Sequence, residues 1–357
     1  MDNRRGFIKN LTAGGALLPF LGLPERPFAV TAAVKGMGSF ANRWQFVGVS
    51  IHEPGYHVWG ASPIIDEQGK VHLFAARWPK QYNVDPGWRS HSEIAHYVSD
   101  SPEGPFRFSD IVMKGTGKAT WDKYAAHNPT IHKVADEYVL LYIGNSDYHQ
   151  PPHPSNQCIG MAVSKSLYGP WKKVNSDGRL LTPPANKNYW NYKASNGVVN
   201  PALLPYKGGF LLYFKSQGAL MGLAIAENLT GPYVQLPFPV TKNNKTIEDG
   251  YAFVREGKIC LLTTDNHGII EKGGGILWKS EDGVHFNEYE PGFHLINEYV
   301  KPSGIKNPAW HYGPKNIMKF ERPQLLLITD KPAYLYLASG CNIYGGNTTV
   351  NYVMKFK

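Results

Sequence analysis

Cysteine and charge are both scarce in this chain. Its 357 residues include three cysteines, Cys158, Cys260 and Cys341, which are too few and too dispersed for a disulfide framework or a zinc site. Each lies in or near an apolar stretch, so we expect buried thiols. Charged residues make up 18% and hydrophobic residues 42% of the chain. This composition excludes a disordered protein and allows a large core.

The sequence also lacks a basic run, a cofactor motif and a metal-ligand cluster. The formal net charge is +9, but the lysines and arginines are scattered, which argues against a nucleic-acid site. A positive field can instead favour an anionic substrate such as a uronate or a sulfated glycan. His149 and His153 resemble a metal pair only superficially, because two prolines between them indicate an exposed loop. We therefore expect neither a cofactor nor a metal.

The first residues are typical of an export signal. Two arginines at Arg4 and Arg5 precede Phe7 and an apolar run from Leu11 to Leu23, as in bacterial twin-arginine signals. An ordinary secretory signal with a basic start is the alternative, and the run is too short for a convincing membrane span. We assign residues 1–33 to the signal and linker and predict a periplasmic or secreted protein.

Five copies of one unit follow. They begin at Ser62-Pro63, Asn128-Pro129, Asn200-Pro201, Glu248-Asp249-Gly250 and Glu321-Arg322-Pro323. Each start precedes a short apolar strand, a turn and a second apolar strand, and the copies lie roughly 50 to 70 residues apart, as repeated units do.

Each unit is predicted to form four short strands, which is the pattern of a β-propeller blade. The sequence therefore predicts an all-β fold, a single five-bladed β-propeller over residues 34–357. Residues Trp44 to Ile51 are expected to add a strand to the last blade and close the ring. A β-sandwich is the alternative, but it does not explain the repeated Asn-Pro and Gly-Pro-aromatic punctuation.

These motifs resemble the five-bladed propeller glycoside hydrolases of families 43, 32 and 117. The resemblance begins at about residue 45 and rests on the X-Pro starts, on second strands such as Tyr138 to Tyr142, and on Gly169-Pro170-Trp171. It implies a carbohydrate substrate. Family 43 has acidic residues at the first three innermost strand starts, where this chain has Ser62, Asn128 and Asn200. The resemblance is therefore to a divergent member.

Carboxylates occur only at the fourth and fifth starts. Glycoside hydrolysis needs a proton donor for the leaving oxygen and a carboxylate or activated water at the anomeric carbon. We expect Asp249 or Glu248 to supply one carboxylate and Glu321 the other, with His127 as a candidate acid or base. Side-chain alternation sends Glu248 and Asp249 to opposite sides of their strand. The alternatives are a turn cap at Glu248, an internal ion pair that Glu321-Arg322-Pro323 makes between blades, and a histidine that only bonds between blades.

Other polar and aromatic residues at or near the strand starts are candidates for binding substrate. They are Arg322, His57, Trp59, Asn128, Asn200, Arg77 and Asp265. Core packing and hydrogen bonding between blades are the alternative roles. The loops at residues 79–89 and 146–157 are expected to form the rim of the pocket.

The predicted function is an exo-acting glycoside hydrolase that releases a terminal sugar from a plant, algal or host oligosaccharide, because a closed funnel suits chain ends. A polysaccharide lyase acting on a uronate is one alternative, since lyases do not need two carboxylates. A non-catalytic glycan-binding propeller is another, and the uncharged Ser62, Asn128 and Asn200 favour it. The expected partner is an oligosaccharide or polysaccharide, neutral or anionic, rather than a nucleic acid or a membrane.

Overall fold

The computed structural model describes residues 39–147, 157–195, 197–300, 319–341 and 347–357. Within these residues the chain forms five antiparallel sheets that follow one another along the sequence, which confirms the predicted five-bladed β-propeller. The predicted export signal, His149 and His153 lie outside the described residues. No helix among the described residues is long and apolar enough to cross a bilayer.

Each sheet is one blade, and its first strand in the sequence is the innermost one, except in the last blade. Blade I contains β2 (Tyr56–Ile65), β3 (Val71–Pro79), β4 (Glu93–Ser99) and β5 (Arg107–Lys114). Blade II contains β6 (Ala125–Val134), β7 (Glu137–Asn145), β8 (Gln157–Ser164), β9 (Lys172–Lys173) and β10 (Arg179–Leu181). Blade III contains β11 (Val199–Tyr206), β12 (Gly209–Lys215), β13 (Met221–Ala226) and β14 (Val234–Gln235).

The remaining elements complete the ring. Blade IV contains β15 (Ile247–Arg255), β16 (Lys258–Asp265), β17 (Gly275–Ser280) and β18 (Glu288–Phe293). Blade V contains β19 (Glu321–Ile328), β20 (Lys331–Cys341), β21 (Asn347–Phe356) and, from the start of the chain, β1 (Trp44–Ile51). Short helical segments lie between strands: α1 (Val84–Ser90), α2 (Ile296–Tyr299) and two 3-10 turns (Phe40–Arg43 and Gln217–Ala219).

The ring is closed by strand β1, as the sequence predicts. This strand pairs antiparallel with β21, so that Trp44 lies opposite Phe356. Their rings lie 4.7 Å apart between centroids, and Phe40 packs against both of them. The first and last described segments thus share one sheet, which leaves no gap between blade V and blade I.

Neighbouring blades pack face to face because their strands are apolar on both sides. On β12, Leu212 packs against blade II, whereas Leu211 and Tyr213 pack against blade IV. This alternation follows from the two-residue period of a strand. A similar core lies between every other pair of adjacent blades. Cys158 and Cys260 belong to these cores, and burial raises the pKa of each thiol to about 11.

Every innermost strand carries a β-bulge at the same level. The register with the second strand shifts there in all five blades, and the residue at the shift has a positive φ. We call these five the axial residues: Gly60 (64°), Asn128 (48°), Asn200 (55°), Asp249 (59°) and Arg322 (54°). Glycine, asparagine and aspartate tolerate this conformation, so the bulge explains four of the five identities.

The bulge corrects one alignment of the repeats. Ser62 was predicted to open blade I in the position of Asn128, but Gly60 holds that position and Ser62 corresponds to Thr130. The dipeptide Ser62-Pro63 resembles the X-Pro starts of other copies, but it lies two residues after the bulge residue Gly60. The hydroxyl of Ser62 instead links blades, because it donates to Gln324 and accepts from the backbone N–H of Ile131.

Candidate active site at the propeller axis

The axial residues meet at the centre of the ring, where Arg322 crosses from blade V to blade II. Its Nη2 donates to the carbonyl oxygens of Asn128 (3.0 Å) and Pro129 (3.2 Å) and to Oγ1 of Thr130 (3.0 Å). The side chain has no exposed surface. A Cβ on Gly60 would lie 2.7 Å from Cγ of Arg322, so only glycine fits beside it. Arg322 therefore fills the axis at the level of the bulges.

The amide side chains at the axis bond to each other. Asn128 donates from Nδ2 to Oδ1 of Asn200 at 2.8 Å, which links blades II and III. Both residues are buried, with 7% and 5% of their surface exposed. Asn128 and Asn200, which were predicted to bind substrate, therefore lie at the axis with their side-chain amides bonded to each other.

Asp249 is the axial residue of blade IV and faces Arg322. Its Oδ1 lies 3.9 Å from Nη1 of the guanidinium, and its Oδ2 accepts from Thr264 Oγ1 at 3.4 Å. Burial lowers the pKa of Arg322 to about 10, and the charge of Asp249 opposes that shift. The guanidinium therefore remains charged at neutral pH, so that Asp249 has a permanent cation beside it.

Glu248 precedes Asp249 and is directed to the other neighbouring blade. It forms an ion pair with Lys215, which ends β12 in blade III, whereas Asp249 faces blade V. Burial lowers the pKa of Lys215 to about 8, an effect that Asp249 partly offsets. The two adjacent carboxylates thus have different partners: Glu248 pairs with Lys215, whereas Asp249 lies beside Arg322 and also acts on Lys215.

Glu321 lies at the corresponding bulge of blade V. It forms an ion pair with Lys319 and is 8% exposed. Burial raises the pKa of Glu321, and the nearby charge of Asp249 adds to that rise, whereas Lys319 and Lys215 oppose it. Burial and a neighbouring carboxylate are the conditions that favour the protonated form of a carboxyl.

One side of the axis is therefore charged. We call the residues on blades III to V the charged crescent: Lys215, Glu248, Asp249, Lys319 and Glu321. With Arg322 added, three cations face three carboxyl groups. The two lysines were missed in the sequence, although one signal was present: Lys215 is the single charged residue of a strand that is otherwise glycine and apolar residues.

The opposite side, on blades I and II, is aromatic. The Nδ1 atom of His127 shares a hydrogen bond of 2.9 Å with Oγ of Ser92. The ring centroid of His127 lies 4.9 Å from that of Trp88 and 5.7 Å from that of Trp78. Burial lowers the pKa of His127 to about 3, with a further contribution from Arg322. His127 is therefore neutral across the physiological pH range.

His57 and Trp59 extend this aromatic side. His57 has no exposed surface and lies with Nε2 at 3.1 Å from the carbonyl oxygen of Tyr82, and burial lowers its pKa. Trp59 packs against Trp78 and retains 7% exposure. We call this group the aromatic cluster: His57, Trp59, Trp78, Trp88 and His127.

Arg77 lies in a network of its own within blade I. It pairs with Glu93 at 3.0 Å and with Glu53. Its guanidinium also lies 4.2 Å from the ring centroids of both Tyr56 and Phe108. Protein groups thus surround the guanidinium of Arg77.

Asp265 organises a loop. Its two carboxylate oxygens accept from the backbone N–H groups of residues 268 to 271 at 2.7–2.9 Å, and the residue has no exposed surface. The carboxylate therefore holds the connection between β16 and β17 in one conformation.

The connection between β3 and β4 contains α1, which brings Trp88 to His127. A pocket of about 510 Å³ opens in this connection. It is lined by Gln81, Tyr82, Asn83, Pro86, Gly87, Ser90, His91 and Tyr124. Part of the second predicted rim loop, residues 148–156, lies outside the described residues. In the described part of the chain, no three histidine, cysteine or acidic residues are grouped to hold a metal ion.

Comparison with known proteins gives structural relatives only. No protein-family model and no curated protein matches the chain. Zg3597, a family 117 glycoside hydrolase of the marine bacterium Zobellia galactanivorans, aligns with a TM-score of 0.65 and 14% identity over 88% of this chain and 90% of its own.

Two further relatives show the same architecture. The α-L-arabinofuranosidase PaAbf62A from Podospora anserina has a TM-score of 0.58 and 10% identity, covering 88% of this chain and 96% of its own. CoXyl43, a β-xylosidase/α-arabinofuranosidase from a compost microbial metagenome, has a TM-score of 0.57 and 12% identity, covering 87% and 94%. This chain therefore has the five-bladed β-propeller fold of these glycoside hydrolases.

Proposed function

We propose that the protein is an exo-acting glycoside hydrolase whose catalytic carboxyl groups are Glu321 and Asp249. The observation that carries the proposal is the meeting of two buried carboxyl groups, from the bulges of adjacent blades, on one side of the axis. Glycosidases need this pairing of an acid and a carboxylate around the scissile bond.

Glu321 is the proton donor in this proposal. Burial and the charge of Asp249 raise its pKa, and a raised pKa favours the protonated form that can protonate a leaving glycosidic oxygen. Lys319 pairs with Glu321 and stabilises the carboxylate that forms after proton transfer.

Asp249 acts at the anomeric carbon, as the base for a water molecule or as the nucleophile. Arg322 and Lys215 face it and stabilise its negative charge. Because Arg322 is fully buried and bonded to backbone carbonyls, we assign it to orienting Asp249 rather than to holding substrate. Asp265, which orders a loop through four backbone bonds, has a supporting role.

The aromatic cluster gives the sugar a surface opposite the carboxyl groups. The C–H faces of sugars stack on aromatic rings, and such rings combine a large apolar area with little conformational freedom. Trp59 and His127 keep 7% and 5% of their surface exposed. A terminal sugar between the aromatic cluster and the charged crescent would present its anomeric carbon to Asp249.

The test combines a substrate panel with two variants. The mature protein is incubated with neutral and acidic plant, algal and host oligosaccharides, and products are identified by mass spectrometry. A released saturated monosaccharide is expected. Glu321→Gln should lower kcat/KM about 10²- to 10⁴-fold, the usual contribution of general acid catalysis. The matched control is Glu67→Gln, an exposed carboxyl paired with Lys133, which should keep the wild-type rate.

The leaving group separates the two roles. A dinitrophenyl glycoside needs no proton on its leaving oxygen, so Glu321→Gln should retain most of its activity on it, whereas Asp249→Asn should be inactive on both substrates. Equal losses on both substrates in Glu321→Gln would refute its role as the acid. A product lighter by one water would identify a lyase, and binding without turnover a glycan-binding propeller.

We further propose that the protein acts outside the cytoplasm, on the basis of the arginine pair and apolar run in residues 1–33. Fractionation of cells that express the full chain tests this, and Arg4→Lys/Arg5→Lys should trap the protein inside. Retention of the wild-type protein in the cytoplasm would overturn the prediction.

A further inference from the structure

Lys215 occupies a position that is uncharged in every other blade. It lies on the second strand, opposite the first residue of the bulge on the innermost strand, Val199. The equivalent residues are Ala76, Ile143, Thr264 and Ala338. In blade III the cation at the axis thus comes from the second strand. The innermost strand of this blade contributes the uncharged residues Val199 and Asn200.

The ammonium group of Lys215 is buried among carboxylates. The residue is 7% exposed, pairs with Glu248, and faces Asp249 and Glu321 as well as the cation Lys319. These are the charged groups that face it from β15, from β19 and from the segment just before β19, among the described residues.

A buried lysine is a poor choice for stability alone. Moving an ammonium ion out of water is costly, and an apolar side chain of similar length would fill the same space without that cost. The equivalent residues in three other blades are apolar, so this position of a blade does not require a charge. The charge of Lys215 therefore calls for an electrostatic role.

We propose that Lys215 is a positioning residue for the hydrolytic site: its ammonium group orients Glu248 and compensates the negative charge beside Asp249, and its deprotonation inactivates the site at alkaline pH. The inference rests on the proposed function. When Lys215 is protonated and Glu321 holds its proton, three cations face the two carboxylates of Glu248 and Asp249. When Lys215 releases its proton to solvent, one of these cations is lost, and Glu248 loses its partner.

The direction of the pH effect follows from the surroundings. Burial, the largest cause, lowers the pKa of Lys215 to about 8, whereas Asp249 and Glu321 oppose the shift. The protonated, active form therefore predominates below about pH 8, and kcat/KM should fall above it. The ordinary pKa of arginine is higher than that of lysine, and even the fully buried Arg322 has a pKa of about 10. An arginine at this position should therefore stay protonated well above pH 8.

The experiment measures kcat/KM between pH 5 and 10 for the wild-type protein and for Lys215→Arg, Lys215→Met and Glu248→Gln. The wild-type profile should fall with an apparent pKa near 8. In Lys215→Arg the alkaline fall should move up by at least about one pH unit. Glu248→Gln should move it down, because the ion-pair partner of the ammonium group is gone. Lys215→Met should lose at least about tenfold at pH 7.

The matched control is Lys165→Met, since Lys165 is 67% exposed and pairs with Asp136 on the surface. Its profile should equal that of the wild type. An alkaline fall at the same pH in Lys215→Arg as in the wild type overturns the proposal. So does a Lys215→Met variant that keeps wild-type kcat/KM at pH 7. If Lys215→Met does not fold, Lys215→Arg and Glu248→Gln carry the test.

A readout without substrate separates this inference from the proposed function. The ¹³Cε resonances of labelled lysines, followed against pH, should include one that titrates near pH 8 and disappears in Lys215→Arg. Absence of that titration overturns the role of Lys215 whatever the enzyme does. Its presence, with no product from any oligosaccharide, overturns the hydrolytic function and with it the positioning role, and leaves only the ion pair with Glu248.

Discussion

Replacing Arg322 with methionine is expected to destabilise the propeller as a whole. The guanidinium joins blade V to blade II through three hydrogen bonds and lies 3.9 Å from a carboxylate oxygen of Asp249. Methionine is also unbranched at Cβ, so the backbone strain at a φ of 54° is little changed. The variant therefore removes the charge and the donors while keeping much of the volume.

The expected loss is about 4 kcal/mol. Two charges 3.9 Å apart attract by about 4 kcal/mol at an effective dielectric constant of about 20. Breaking a buried ion pair by removing one partner costs about 3–5 kcal/mol in measured cases. The hydrogen bonds to the backbone carbonyls belong to the same loss, because the penalty already includes groups left without partners.

A double-mutant cycle with Asp249→Asn isolates the pair. In Arg322→Met the carboxylate of Asp249 is left buried beside an apolar side chain, and Asp249→Asn removes that charge. The double variant should therefore be more stable than the sum of the single losses predicts, by about 1–3 kcal/mol, as for contacting residues in general.

Urea unfolding followed by tryptophan fluorescence measures these free energies. Arg179→Met is the matched control: this arginine is 45% exposed and pairs with Asp177 at 3.4 Å, so its loss should be within about 1 kcal/mol of zero. A loss for Arg322→Met no greater than for Arg179→Met would refute the reasoning. Strict additivity in the cycle would refute the interaction with Asp249.

Three further predictions concern single residues. Gly60→Ala should lower the free energy of unfolding by about 2–3 kcal/mol and lower the melting temperature. The new Cβ would lie 2.7 Å from Cγ of Arg322, and alanine would have to adopt the φ of 64° that Gly60 has. An unchanged melting temperature would contradict this prediction. Asp265→Ala should speed hydrogen exchange at the amides of residues 268 to 271, because these amides lose their acceptor. Unaltered exchange rates at these amides would contradict this prediction. Burial lowers the pKa of His127 to about 3, below the unfolded value of about 6.5. The unfolded state then binds more protons, so stability should fall as the pH drops from about 6.5 towards 3, and the fall should be shallower in His127→Asn.

The fold was predictable because each blade repeats the same local punctuation. Asn128-Pro129 and Asn200-Pro201 mark bulges that need a positive φ, and the apolar strands after them are buried on both faces. The error in blade I has a local cause. Gly60 satisfies the same φ without a proline after it, whereas Ser62-Pro63 supplies the familiar dipeptide at a regular strand position. Searching for a residue that tolerates positive φ, rather than for X-Pro, would have found Gly60.

The candidate site was predictable in part for a related reason. Glu248, Asp249 and Glu321 lie at repeat starts, and the repeat itself directs those starts to the axis. Lys215 ends a second strand, and Lys319 comes before the first strand of its blade. Their proximity to the carboxylates depends on how blades III, IV and V pack, which the local sequence does not encode.

Arg322 is a residue that the repeat alone does not explain. Its position requires a positive φ, which asparagine, aspartate or glycine adopts with less strain in the other four blades. It also buries a charge completely, at a desolvation cost that an axial asparagine would avoid. Strained and desolvated groups persist where the surrounding structure holds them, and they cluster at functional sites. Arg322 and Lys215 both break the repeat, both bury a cation, and both face Asp249. The two departures that are least favourable for the fold thus converge on the carboxylate to which we assign the chemistry.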